Sequence, residues 1–238
     1  MSSVSSSRRL SLVSLVACLA LALLLPGGAR AEERGDAVAR SGYLNWSQVV
    51  VRAQPSEDAR WVEVLTQFRR DFRPRVVLTL GSRHDAEGKP TWYKLSLVGR
   101  PNGRTGWVPA ESVEVKPVRG EILIDRSARR LEFREAGRVK LRTTVAVGAP
   151  GMPTPLGVFY ILAKFKPTAP FLGVLAFETS AYSSLSDWPG GGVVGLHGTN
   201  NPSLLGQAVS HGCVRLSNAA ILTLNRLAPV GTPIRIVD

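Results

Sequence analysis

Cysteine and histidine are scarce in this chain. Its 238 residues hold two cysteines and three histidines. Acidic side chains are also few, 18 against 30 basic ones, so the formal net charge is +12. That charge draws the chain toward anionic polymers. The basic residues are scattered, mostly arginines alternating with apolar residues in strand-like stretches, and read as solvated strand faces. No nucleic-acid recognition motif accompanies them, so nucleic acid is excluded as a partner. No internal repeat is present, and long apolar runs are absent except for one near the start.

That run, Leu10 to Leu25, follows Arg8 and Arg9 and is broken by Pro26-Gly27-Gly28. Ala29-Arg30-Ala31 after it fits the small-x-small pattern of a signal-peptidase site. At 16 residues the run is short for a spanning helix, which needs about 20. An uncleaved anchor is one alternative. A lipoprotein is another, because Leu15-Val16-Ala17-Cys18 resembles a lipobox, although the apolar run continues past Cys18 where a mature lipoprotein would turn polar. Ser7-Arg8-Arg9 leaves twin-arginine export open beside the general route. The favoured expectation is export to the periplasm or cell wall, with no transmembrane anchor after cleavage. Cleavage after Ala31 leaves 207 residues (238 − 31) and a net charge of +9, because Arg8, Arg9 and Arg30 depart. Cys18 departs with them. Cys213 is then the single cysteine, with no disulfide partner in the chain.

Residues 32–42 are polar and charged, and are expected to form a flexible leader. From 43 to 115 short strands alternate with turns: Val49–Arg52, Trp61–Leu65, Arg75–Leu80 and Trp92–Leu97, then Trp107–Pro109 after the turn Pro101-Asn102-Gly103. The order VVVRAQPS … WYKLSLVGRPNGRTGWVPAESV resembles bacterial SH3-like domains, which implies a small β-barrel. A linker at 116–118 leads to a second domain, 119–238. There Glu121–Asp125, Leu131–Arg134, Val139–Val147, Val158–Phe165, Val174–Thr179, a segment from Gly190–Gly192 to His197, and Thr232–Val237 read as strands. One helix is convincing, capped by Ser217 or Asn218, apolar at Ala220, Ile221, Leu224, Leu227 and Ala228, and stopped by Pro229. The expected class is mainly β, a sandwich or partly closed barrel with one helix.

The chemistry gathers near the C-terminus. His197 and His211 both lie within 17 residues of Cys213. A thiol becomes a nucleophile when a base takes its proton or a positive charge lowers its pKa. The stretch HGTNNPSLLGQAVS, from His197 to Ser210, is long enough to fold back and bring His197 beside Cys213. Gly212 clears space beside the sulfur, and the N–H groups of Gly212 and Cys213 are candidates to hold an oxyanion. Two alternatives stay open from the residues alone. The histidines could be satisfied core residues, as is expected of His84, or His197, His211 and Cys213 could ligate zinc.

The composite HGTN … SHGCVRLSN resembles the signature of the L,D-transpeptidase (YkuD-type) family, and Pro153-Thr154-Pro155-Leu156-Gly157-Val158-Phe159 resembles its TPxGxF segment. The resemblance covers residues 119–238 and implies a cysteine acyltransferase acting on peptidoglycan stem peptides, with no cofactor and no metal. It implies Cys213 as nucleophile, His197 as its base and His211 in support. Gly198 and Ser210 would support the loop with Gly212, and Arg215 would shape the substrate subsite. Tyr182 and Gly192 fall where an active-site wall would lie. Peptide stems and anionic wall polymers are the implied partners. The acceptor, whether amine, water or a D-amino acid, is left open, and so is a non-catalytic wall-binding protein.

Overall fold

A computed structural model describes residues 39–187 and 190–238. Residues 1–38, which hold the expected targeting segment and most of the expected leader, lie outside the described residues; among the described residues no helix is long and apolar enough to cross a membrane.

Seven strands form the first sheet: β1 (Arg40–Leu44), β2 (Gln48–Arg52), β3 (Trp61–Thr66), β4 (Val76–His84), β5 (Pro90–Ser96), β6 (Thr105–Pro109) and β7 (Val113–Pro117). They lie in the order β3-β2-β6-β5-β4-β1-β7. Alternation in β2 sends Val49 and Val51 inward to meet Leu65, Val77, Leu95, Val108 and Val113. The sequence places a leader up to residue 42, but β1 already pairs with β4 and β7 from Arg40. The correction has a steric basis. A side chain at Gly42 would run into the Glu114 carbonyl oxygen, so this glycine lets β1 close against β7. β7 likewise runs through Pro117, into the expected linker.

The second sheet begins three residues later. It contains β8 (Gly120–Asp125), β9 (Arg130–Glu135), β10 (Arg138–Thr144), β12 (Gly157–Phe165), β13 (Ala176–Tyr182), β14 (Val193–His197), β16 (Val214–Arg215) and β17 (Pro233–Val237). Their order is β10-β9-β8-β17-β12-β13-β14-β16, and β11 (Val147–Gly148) pairs separately with β15 (Ala208–Ser210). The single expected strand Val139–Val147 is broken in two. Val145 and Ala146 are buried, and Ala146 exchanges both backbone hydrogen bonds with Arg215, so the chain leaves the sheet edge and passes beside β16. The expected strand Val174–Thr179 is shifted to Ala176–Tyr182.

The helix, α1 (Asn218–Leu227), starts where Ser217 Oγ accepts the Ala220 N–H at 3.1 Å. Ala220, Ile221 and Leu224 turn inward and seal a core with Ile122, Phe133, Ile161, Phe177, Leu196 and Val214. Burying each of these side chains except Ala220 contributes about 1.5–3 kcal/mol. The molecule is mainly β, with this one α-helix among the described residues. A third apolar cluster, Val76 and Leu78 with Tyr160 and Leu162, joins residues of β4 to residues of β12. Tyr160 is fully buried there, its hydroxyl 3.4 Å from both the Val76 and Ser96 carbonyl oxygens.

Candidate active site

Parallel pairing builds the site. β14 and β16 run side by side with Leu196 opposite Val214 and His197 opposite Arg215. Gly195 and Cys213, one step before each of the first pair, then face each other, and the Gly195 N–H reaches Cys213 Sγ at 3.3 Å. Residues two apart on a strand share a face, so this register sets His197 and Cys213 on the same side. Both line one cavity of about 480 Å³, together with Ser210, His211 and Arg215. Phe165, Phe171 and Leu172 supply an apolar side, and Glu178 a charged one.

His197 is almost completely buried, and its Nδ1 lies 2.6 Å from the Gly198 carbonyl oxygen. A carbonyl can only accept, so Nδ1 carries the proton and Nε2 keeps its lone pair. Burial pushes the imidazole pKa down to about 4, with Arg215 adding to the fall and the Gly198 carbonyl opposing it. At neutral pH His197 is therefore an uncharged ring with a free base. Burial also raises the Cys213 thiol above its ordinary value, against the Gly195 N–H and the Arg215 charge, which favour the thiolate. The resting pair is thiol and imidazole rather than thiolate and imidazolium. Such a pair can pass the thiol proton to nitrogen as the sulfur attacks.

The turn before Cys213 is latched at several points. Ser210 Oγ accepts the Gly212 N–H at 3.1 Å and donates to the Cys213 carbonyl at 2.6 Å. Gly212 sits at φ +114°, where a side chain would be strained and would approach Ser183 Cβ to 2.9 Å. The N–H of Gly212 is thus already engaged by Ser210, which removes it as an oxyanion donor and leaves that of Cys213. Fully buried Thr154 adds the next anchor. Its Oγ1 accepts the Gly148 N–H and donates to the Gly212 carbonyl, both at 2.9 Å. Because the Gly212 C=O and the Cys213 N–H share one rigid peptide plane, holding the former aims the latter.

The other expected residues divide. Gly198 accepts from His197, and a side chain on it would collide with Asn218 Oδ1, which itself holds the Val174 N–H at 3.2 Å. Arg215 reaches the cavity, with its Nε buried and lacking a hydrogen bond. Tyr182 and Gly192 are not among the lining residues. The Tyr182 ring lies against Arg100, and Gly192, at φ +76°, has no room for a side chain beside the Leu185 carbonyl. Sequence reasoning did not assign site roles to Thr154, Gly195, Glu178, Phe165 or Phe171. Thr154 carried a signal, since it sits in the Pro-Thr-Pro-Leu-Gly segment, whereas the others are ordinary strand and loop residues until the fold gathers them.

Residues 119–236 match the family model described as the L,D-transpeptidase catalytic domain, YkuD. Over 117 residues the chain is 34% identical to a Bacillus subtilis protein named L,D-transpeptidase YkuD, and 35% identical to the protein of that name in Bacillus licheniformis. Each alignment takes in 48% of this chain, and the chain spans only 64% of the length of these relatives. The solved catalytic domain of an Enterococcus faecium L,D-transpeptidase aligns over 50% of this chain and 96% of its own, at 26% identity and a TM-score of 0.38. Residues 119–236 of this chain belong to the YkuD family of L,D-transpeptidase catalytic domains.

Proposed function

We propose that the protein is an exported peptidoglycan L,D-transpeptidase that cross-links stem peptides through an acyl-enzyme on Cys213. The observation that carries the reading is that Cys213 and a carbonyl-anchored His197 line one cavity. As Cys213 Sγ attacks the carbonyl carbon of the diamino acid in a tetrapeptide stem, its proton passes to His197 Nε2. The Cys213 N–H faces the oxyanion that develops. Collapse breaks the C–N bond, His197 returns the proton to the departing D-alanine amine, and a thioester remains. A side-chain amine of a second stem then attacks the thioester, gives its proton to His197 and expels the sulfur, which is reprotonated. Arg215 and His211 on the same wall suit them to hold the donor peptide.

Export rests on the basic, apolar and small-residue pattern of residues 8–31, and retention near anionic wall polymers on the net positive charge. The domain at 43–115 is read as SH3-like from its motif order, and its sheet ends two residues after that range. Mass spectrometry after exposure to a carbapenem tests the assignment. One adduct is expected on Cys213, absent in Cys213→Ala and greatly slowed in His197→Ala. Folded protein that forms no adduct, or that instead holds stoichiometric zinc, would refute it. Incubation with a tetrapeptide stem should yield dimer; tripeptide alone would make water the acceptor.

A further inference from the structure

The loop between β5 and β6 reaches across to the catalytic sheet. The Asn102 side-chain amide pairs with the backbone of Tyr182 in both directions: Nδ2 donates to the Tyr182 carbonyl at 2.7 Å, and Oδ1 accepts its N–H at 3.0 Å. These two partners fix the orientation of the amide, because the flipped form would set donor against donor. Arg100 Nη2 donates to the carbonyls of Ser183 at 3.1 Å and Leu185 at 2.8 Å, and its guanidinium lies 4.7 Å from the centre of the Tyr182 ring.

The segment so held touches the site on two sides. Ser183 packs against Gly212, the residue before Cys213. Its N–H donates to the Gly192 carbonyl at 2.8 Å, at the entrance to the strand that bears Gly195 and His197. A displacement of Ser183 would therefore move the backbone on both sides of the sulfur.

We propose that Arg100 and Asn102 are positioning residues for the acyl-transfer site, through which the N-terminal sheet sets the geometry of Cys213 and His197. The kinetic consequence rests on the transpeptidase reading of Cys213, whereas the mechanical coupling does not. A clamp of this kind acts on the alignment of reacting atoms, so its loss lowers the chemical step and leaves initial binding of the acyl donor nearly unchanged.

The test uses the full chain with meropenem as acyl donor. In Asn102→Ala and Arg100→Ala the saturating rate of adduct formation should fall about 10- to 100-fold. The meropenem concentration giving half that rate should change by less than about twofold. Arg100→Lys, which can still donate to the two carbonyls, should recover most of the rate, and this restoration guards against misfolding as the cause. By hydrogen exchange, the backbone amides of residues 192–198 and 210–215 should open about fivefold faster in the alanine variants. They should not do so in Lys89→Ala, on the β4–β5 turn. Wild-type rates in the alanine variants, or a loss confined to initial binding, would overturn the clamp. If the wild-type protein itself forms no adduct, the Cys213 reading falls, and the exchange measurement alone decides: unchanged protection at 192–198 and 210–215 refutes the coupling.

Discussion

Thr154→Val removes one hydroxyl and keeps nearly the same shape, so it isolates the latch beneath Cys213. The Gly148 N–H and the Gly212 carbonyl would each lose a buried partner. A buried polar group left unsatisfied costs about 1–3 kcal/mol, so the pair costs about 2–6 kcal/mol. For a unit of roughly 150–250 residues each kcal/mol lowers Tm by about 2–4 °C, which predicts a fall near 10 °C. Thr154→Ser keeps the hydroxyl and loses one methyl, about 1 kcal/mol, so its Tm should drop by only about 3 °C. Activity should separate the two variants further. With the Gly212 carbonyl unlatched, the Cys213 N–H is no longer aimed, and carbapenem adduct formation should slow by about 10- to 100-fold in Val and little in Ser. Thermal melts and adduct mass spectrometry at a temperature where both variants are folded provide the assay. Equal Tm values for Val and Ser, together with wild-type acylation in Val, would refute the latch.

The buried imidazole of His197 predicts a pH signature. Its pKa falls from an ordinary value near 6.5 to about 4 on folding, so the unfolded chain binds the proton more readily. Stability is fully present above about pH 6.5 and is lost as pH falls toward 4, a contribution of roughly 3 kcal/mol. His197→Gln should flatten that slope in denaturation curves across the same window, and an unchanged slope would disprove the shift. Acylation should hold down to an acid limb near pH 4, where Nε2 becomes protonated; a limb near 6.5 would contradict the burial argument. Because the thiol is pushed up, alkylation of Cys213 by iodoacetamide at about pH 7.5 should be slower than that of glutathione, and faster alkylation would indicate a resting thiolate. Gly198→Ala should destabilise the protein by about 1–3 kcal/mol, because the new methyl meets Asn218 Oδ1. A variant as stable as wild type in urea titration would show that Asn218 gives way freely.

Local patterning made much of this molecule legible. Alternation marked β2, and turn residues marked the β5–β6 hairpin, since these depend on neighbouring residues alone. The Ser217 cap and the i, i+1, i+4 spacing of Ala220, Ile221 and Leu224 did the same for α1. β1 was missed because Arg40-Ser41-Gly42 has no strand-like pattern of its own. It becomes a strand only through partners 33 or more residues away in sequence. The break between β10 and β11 was hidden because Arg142 to Val147 is apolar enough to continue, and only the bridge from Ala146 to Arg215 turns it aside.

The site divides along the same line. The groups proposed to carry the chemistry were read from the sequence: the Cys213 thiol, a histidine beyond a foldable loop, and glycines where side chains would obstruct. Those are properties of residue types and spacing. Their ionisation did not follow, because the uncharged His197 and raised thiol of Cys213 come from burial, a property of neighbours the chain gathers from afar. Nor did the choice between the two candidate oxyanion donors, since Ser210 claims the Gly212 N–H and Thr154, 58 residues upstream, holds the Gly212 carbonyl. Reach of a few residues determines a strand or a cap, whereas the direction of an N–H and the charge on a ring are decided only when distant segments close around them.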